Sequence, residues 1–150
     1  MSTATELLLV ALLLAMWLLL RVRRAEESRQ PMRRQPTDAR ELGLVLFEVL
    51  RGQDLHAWRG MFLDGREAAE VLGTDAAAYL ERRTAGRLGA ALKAIGERVP
   101  ATARLEGLEV LGDTAVLRLS LEGAIYGVPI GNTARVGRVI RLVEVAKEWG

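Results

Sequence analysis

The chain has no cysteine and only one histidine, His56, in 150 residues. The missing cysteine excludes disulfides, thiol catalysis and cysteine-ligated metal sites. One histidine without cysteine cannot assemble a usual zinc centre. No glycine-rich loop carries the lysine and following Ser/Thr that a phosphate-binding loop requires. The loop-like stretch from Gly127 to Gly131, GVPIG, has neither. No cofactor is implied. Net charge is also scarce: from Glu41 onward 14 Lys and Arg face 15 Asp and Glu, so this part sums to −1. The apparent basicity is local, because Arg21 to Arg40 holds seven arginines against three acids.

Polar residues are missing altogether from Leu7 to Leu20, LLLVALLLAMWLLL, fourteen apolar residues in succession. Fourteen residues at ~1.5 Å rise cover about 21 Å, less than the roughly 30 Å of a hydrocarbon core. The flanks extend the tolerable span to about twenty residues, since Thr3, Ala4, Thr5 and Val22 are compatible with lipid and Arg21 can snorkel. A removable secretion signal needs a basic head and a small-residue cleavage site. Here the head is acidic, at Glu6, and the apolar core runs straight into Arg21-Val-Arg-Arg24. Leucine surrounds the whole helix, so no polar stripe is left to face water. The expectation is one transmembrane helix over residues 1–22, with Trp17 near the basic interface.

Basic residues are absent before this span and dense after it: Arg21, Arg23, Arg24, Arg29, Arg33 and Arg34. The positive-inside rule then sets the N-terminus outside and the C-terminal part in the cytoplasm, as in a bacterial inner-membrane protein. Beside a bilayer these arginines meet anionic headgroups, at roughly 1 kcal/mol each. Nucleic acid is not an expected partner. Residues 23–37 are polar with two prolines, and read as a basic juxtamembrane linker.

Residues 38–150 suffice for one small domain. Asp38 and Glu41 form a capping box for a helix to about Arg51, with Leu42, Val45, Leu46, Val49 and Leu50 on its inner face. Asp54 caps a short helix bearing Trp58 and Phe62, and Asp64-Gly65 is a turn. Further helical pieces cover Arg66 to Leu72, Thr74 to Leu80 and Thr84 to Arg98. The last places Leu88, Ala91, Leu92, Ile95 and Val99 inward, and Pro100 closes the helical half. The period then changes to two. Ala115, Leu117, Leu119 and Leu121 alternate with polar residues in a half-buried strand, preceded by a weaker strand through Gly112-Asp113. Gly123 to Thr133 reads as a loop, and Arg135 to Val145 as a third strand broken near Gly137; Val139, Leu142, Val143, Ala146 and Trp149 also fit a helix, and only the Val/Ile content tips the balance.

Helices followed by a strand meander make an α+β order: a helical layer on a small antiparallel sheet behind an N-terminal transmembrane helix. Val49-Leu-Arg-Gly-Gln-Asp54 with the helix Leu55 to Phe62, the hairpin Val110-Leu-Gly-Asp-Thr-Ala-Val-Leu-Arg-Leu119, and Trp149 carry a resemblance. Over Glu41 to Gly150 the chain resembles the nuclear transport factor 2-like superfamily, whose α+β cone is of the cystatin-like kind. That resemblance implies an enzyme with a polar pocket, a ligand-binding cone, or a pocketless assembly module.

The residues themselves assemble no complete catalytic set. His56 and Asp54 stand two apart, so a helix points them to different sides. Asp64, Glu67 and Glu70 lie near one another, and Glu67 and Glu70 are conceivable as paired carboxylates, but the favoured reading is a solvated helix face. Arg82, Arg83 and Arg87 are a phosphate-binding candidate, with Tyr79 as the nearby aromatic. The expectation is a non-catalytic, single-pass assembly or scaffold module contacting a protein partner or a second copy of itself. The alternative is a small-molecule binder or hydratase/isomerase-like enzyme whose internal pocket would hold His56, Asp54 or Tyr126.

Overall fold

The computed structural model describes residues 3–28 and 35–149. The chain divides into two compact units, Met1–Gln35 and Pro36–Gly150. The first is a single helix, α1 (Thr3–Ser28). Its segment Thr3–Val22 is 20 residues long and apolar enough to cross a bilayer. At ~1.5 Å per residue this is about 30 Å, the thickness of the hydrocarbon core. At its basic end the Arg21 guanidinium lies 4.8 Å above the Trp17 ring, an i, i+4 cation–π pair. The helix runs on through Ser28, so the first part of the segment read as linker is helical. Arg23 and Arg24 lie on this helix; Arg29, Arg33 and Arg34 lie outside the described residues.

The second unit is α+β. Five helices come first: α2 (Ala39–Gly52), α3 (Leu55–Gly60), α4 (Gly65–Leu72), α5 (Ala76–Arg82) and α6 (Ala85–Gly96). Four strands follow: β1 (Arg104–Leu111), β2 (Thr114–Leu121), β3 (Ala124–Val136) and β4 (Val139–Val145). They form one antiparallel sheet in the order β1-β2-β3-β4, a plain meander with two-residue turns.

Short polar side chains start the helices, as their spacing predicts. Asp38 accepts from the Glu41 backbone N–H at 2.8 Å, and Asp54 from that of Ala57 at 3.1 Å. The capping box expected at Asp38 is displaced by one residue. The Glu41 carboxylate accepts from the Thr37 N–H at 3.0 Å rather than from Asp38. A complete box stands instead at Asp64 and Glu67, where a turn was expected; Asp64 caps α4 and Gly65 is its first residue. Gly52 is the last residue of α2. The left-handed position that closes the helix falls on Gln53, at φ 50°.

The core lies between α2, α3 and α6 and the inner face of the sheet. Leu42, Leu46, Leu50, Trp58, Leu92, Ile95, Leu117, Leu119, Ile130 and Leu142 are buried together there. Trp58 meets Phe62 edge-on at 5.1 Å and donates its indole N–H to the Leu88 carbonyl at 2.9 Å, so its polar atom is satisfied. A smaller cluster of Leu63, Ala68, Ala76 and Tyr79 joins α4 and α5 to Val136 and Val143.

The segment Gly123 to Thr133 is not a loop. It forms most of β3, at 13 residues the longest strand. Val128 and Ile130 point into the core. A Cβ at Gly131 would collide with the Glu144 carbonyl oxygen, so glycine here permits close strand approach. Pro129 sits beside a register shift between Ala115 and Val116, where a missing N–H is tolerated. The turn lies earlier, at Glu122-Gly123, with φ of 52° and 84°. Gly137 likewise is a hairpin turn that separates β3 from β4, not a break within one strand.

The two sheet edges differ. Leu142 exchanges backbone hydrogen bonds with Met61 and Leu63, and Ile140 donates to the Pro36 carbonyl, so the β4 edge is covered. Among the described residues no backbone group pairs with the outer edge of β1. That edge carries Arg104, Glu106 and Glu109 and a bulge between Leu105 and Gly107. Charges and bulges of this kind discourage indiscriminate strand addition.

Candidate functional site

Each candidate from the sequence acquires a definite place. Asp54 serves as a helix cap, and His56 is exposed on α3. His56 borders a hollow of about 480 Å³ whose other lining side chains include Arg59 and Arg83 and no carboxylate. A base oriented by an acid is therefore not assembled there. Tyr126 donates its hydroxyl to the Arg98 carbonyl at 2.9 Å.

The three acids are absorbed by the fold. Asp64 and Glu67 hold each other's backbone N–H groups at 2.8 and 3.1 Å. The Glu67 N–H bond holds the Asp64 carboxyl below its ordinary pKa, because it favours the charged form. Glu67 also receives the Arg141 Nε at 3.0 Å, both side chains being largely buried, and Arg141 donates to the Gly60 carbonyl at 2.7 Å. Glu70 pairs with Arg66 one turn away at 3.6 Å. No general-acid/base dyad results, and among the described residues no group of three metal-ligating side chains converges.

The arginines end in a different situation. The ends of α5 and α6, the last residues of β4 and a terminal 3₁₀ turn (Lys147–Trp149) enclose a cleft of about 490 Å³. Its floor is largely apolar, with Phe62, Leu88, Val145 and Trp149. Arg82, Arg83, Arg87 and Lys147 stand around it against a single acid, Glu144. The local order of α5 and α6 produces this, since Thr84 caps α6 by accepting from the Arg87 N–H at 3.3 Å. The two helices thus meet at a corner with basic residues on both sides.

Two of these cations are engaged. Arg83 donates to the Leu63 carbonyl and lies 5.6 Å over the Tyr79 ring. Arg82 stands 3.5 Å from Glu144, both side chains being more than half exposed. Among the described residues neither Arg87 nor Lys147 has an ion-pair partner. Tyr79 donates its hydroxyl to the Val143 carbonyl, and burial raises its pKa, so it remains a neutral donor. Trp149 is held by its indole N–H on the Pro129 carbonyl at 2.6 Å.

Arg82, Arg83 and Arg87 were legible in the sequence as a basic cluster. Lys147 and Trp149 were not, because over sixty residues separate them from α5. No protein-family profile matches the chain, and no curated protein or solved structure does either.

Proposed function

We propose that this chain is a single-pass, membrane-anchored assembly or scaffold module without catalysis of its own. In this reading α1 is a retained anchor in a bacterial inner membrane, with its N-terminus outside and the α+β domain in the cytoplasm. The arginines from Arg21 to Arg34 fix that orientation and meet anionic headgroups. The domain sits with the assembly modules of the nuclear transport factor 2-like group, those that use no internal cone, and recognises a protein partner or a second copy of itself.

One observation carries the reading. The main core between helices and sheet is packed with apolar side chains, and among the described residues the most buried ion pair, Glu67 with Arg141, is closed on itself at 3.0 Å. An enzyme or ligand cone of this architecture needs a polar group facing an internal space. His56 is exposed beside an open hollow without a carboxylate, Asp54 caps α3, and Tyr126 packs against the core with its hydroxyl donated to the Arg98 carbonyl. The open edge of β1 supplies a surface that a partner strand can extend.

The test is chemical cross-linking in intact membranes followed by detergent extraction. A stoichiometric complex, homomeric or with one partner, is the expected product, and it should persist when His56→Ala is introduced. A chain that remains alone at every cross-linker concentration overturns the assembly reading. A folded His56→Ala variant that loses cellular function would restore the enzyme reading. Orientation is checked by a reporter active only outside the cytoplasm, fused after Gly150, which should stay silent.

A further inference from the structure

We propose that the cleft beside α5, α6 and the end of β4 binds an amphiphilic phosphate, a phosphate head joined to an apolar chain. The inference goes beyond the assembly reading, because it concerns a ligand and not a protein contact.

Charge is the first support. The domain from Glu41 sums to −1, yet four of its 14 basic residues surround this one cleft. Against Arg82, Arg83, Arg87 and Lys147 stands only Glu144, already beside Arg82 at 3.5 Å. The cleft therefore carries +3, four cations less one carboxylate. Arg87 and Lys147 keep their donors unclaimed by any carboxylate among the described residues. Arg83 uses one of its donors on the Leu63 carbonyl, and a guanidinium has five. A dianionic phosphate offers three terminal oxygens and spreads its charge over several such donors, whereas one carboxylate does not need them all.

The floor is the second support. An inorganic anion would leave Phe62, Leu88, Val145 and Trp149 facing an empty apolar hollow. About 490 Å³ is within the ordinary range for a small-molecule site. An apolar chain fills that floor, and each buried methylene strengthens binding roughly fourfold. Trp149 and Tyr79 are anchored through their polar atoms to the Pro129 and Val143 carbonyls, so aromatic walls are already in place before a ligand arrives. A nucleic-acid track is not favoured, because it needs a basic stripe along a face and stacking rings in series.

The same chemistry comes from a bilayer phospholipid or from a soluble acyl phosphate ester, and the experiment separates them. The full chain is placed in nanodiscs of neutral phosphatidylcholine and titrated calorimetrically with dihexanoyl phosphatidic acid. Inorganic phosphate, dihexanoyl phosphatidylcholine and empty nanodiscs serve as comparisons. The acid should bind at least about tenfold more tightly than inorganic phosphate, since several methylenes are buried with the head. Arg87→Gln and Lys147→Gln should each weaken binding about tenfold, as expected for a lost charge-assisted hydrogen bond. Arg118→Gln, on the outer face of the sheet, should leave it unchanged, with circular dichroism verifying the fold of all three. Repeating the titration in nanodiscs containing long-chain phosphatidic acid then assigns the source. Competition identifies the bilayer, and undiminished binding identifies a soluble ester; both retain the cleft. The proposal is overturned if the short-chain acid binds no better than inorganic phosphate. It is equally overturned if binding ignores both cleft substitutions, which would assign the affinity to the arginines next to the membrane helix.

Discussion

Gln53 and Gly96 join the end of α2 to the end of α6, and their contact permits a quantitative test. Gln53 closes α2 in the left-handed region, and its side-chain amide turns back to donate to the Leu50 carbonyl at 2.8 Å and the Leu92 carbonyl at 3.1 Å. A Cβ at Gly96 would collide with that amide nitrogen. The Gly96→Ala side chain must therefore displace the amide and forfeit both hydrogen bonds, at about 1 kcal/mol each. Alanine recovers up to ~1 kcal/mol of helix propensity, less at a helix end. The net is a loss of about 1 kcal/mol. Gln53→Gly also removes both bonds, but it relieves ~1 kcal/mol of left-handed strain, so it too costs about 1 kcal/mol. Once the amide is gone, Gly96→Ala should become neutral or stabilising. A double-mutant cycle should then show a coupling of roughly 1.5–2 kcal/mol. Urea unfolding of a soluble fragment spanning residues 35–150 provides the readout. At a slope of ~1.5 kcal/mol per molar, Gly96→Ala should lower the midpoint by about 0.7 M. If it stabilises the parent, or costs the same with and without the Gln53 amide, the displacement argument is wrong.

Three further outcomes follow from the packing. The fragment 35–150 should fold cooperatively without lipid, whereas one beginning at Glu41 should be markedly weaker in the same urea assay. It lacks the Asp38 cap and the Pro36 carbonyl that accepts from Ile140 at 2.9 Å. Leu117→Asp should abolish the unfolding transition, because Leu117 is fully buried and a carboxylate there has no partner. Arg118→Asp loses only a half-exposed pair with Glu109 and should shift stability by no more than about 1 kcal/mol; equal damage from both would refute the assigned faces. Finally, burial raises the pKa of both tyrosines, the only two in the chain. Folded pKa values above the unfolded one mean that this stability is complete below pH ~10 and is lost as pH rises through the folded values. Ultraviolet titration should place the tyrosinate midpoint of the folded fragment above that of the urea-unfolded fragment, and coincident midpoints, in the fragment or in its Tyr126→Phe variant, would refute the burial of Tyr79.

How much of this was legible in the residues depends on the range of the forces involved. The apolar run at Leu7 to Leu20, the caps Asp38 and Asp54, and the alternation through Leu117 and Leu119 are local patterns. Each is decided by neighbours within a turn or a few strand residues, so sequence alone determined the α+β order, a helix long and apolar enough to span a membrane, and most of the core. Tertiary structure decided the rest. Glycine and proline in β3 imitate a loop because their reason lies in other strands: Gly131 admits the Glu144 carbonyl, and Pro129 occupies a register shift. Glu67 looks like half of a carboxylate pair until the sheet brings Arg141 to it at 3.0 Å across 74 positions. The basic corner at Arg82, Arg83 and Arg87 is visible in order, but it becomes a cleft only when β4 and the terminal turn add Lys147 and Trp149. Periodicity and capping are intrinsic to a short stretch of chain. Close approach, ion pairing and concavity depend on what the rest of the chain places opposite, and only folding supplies that.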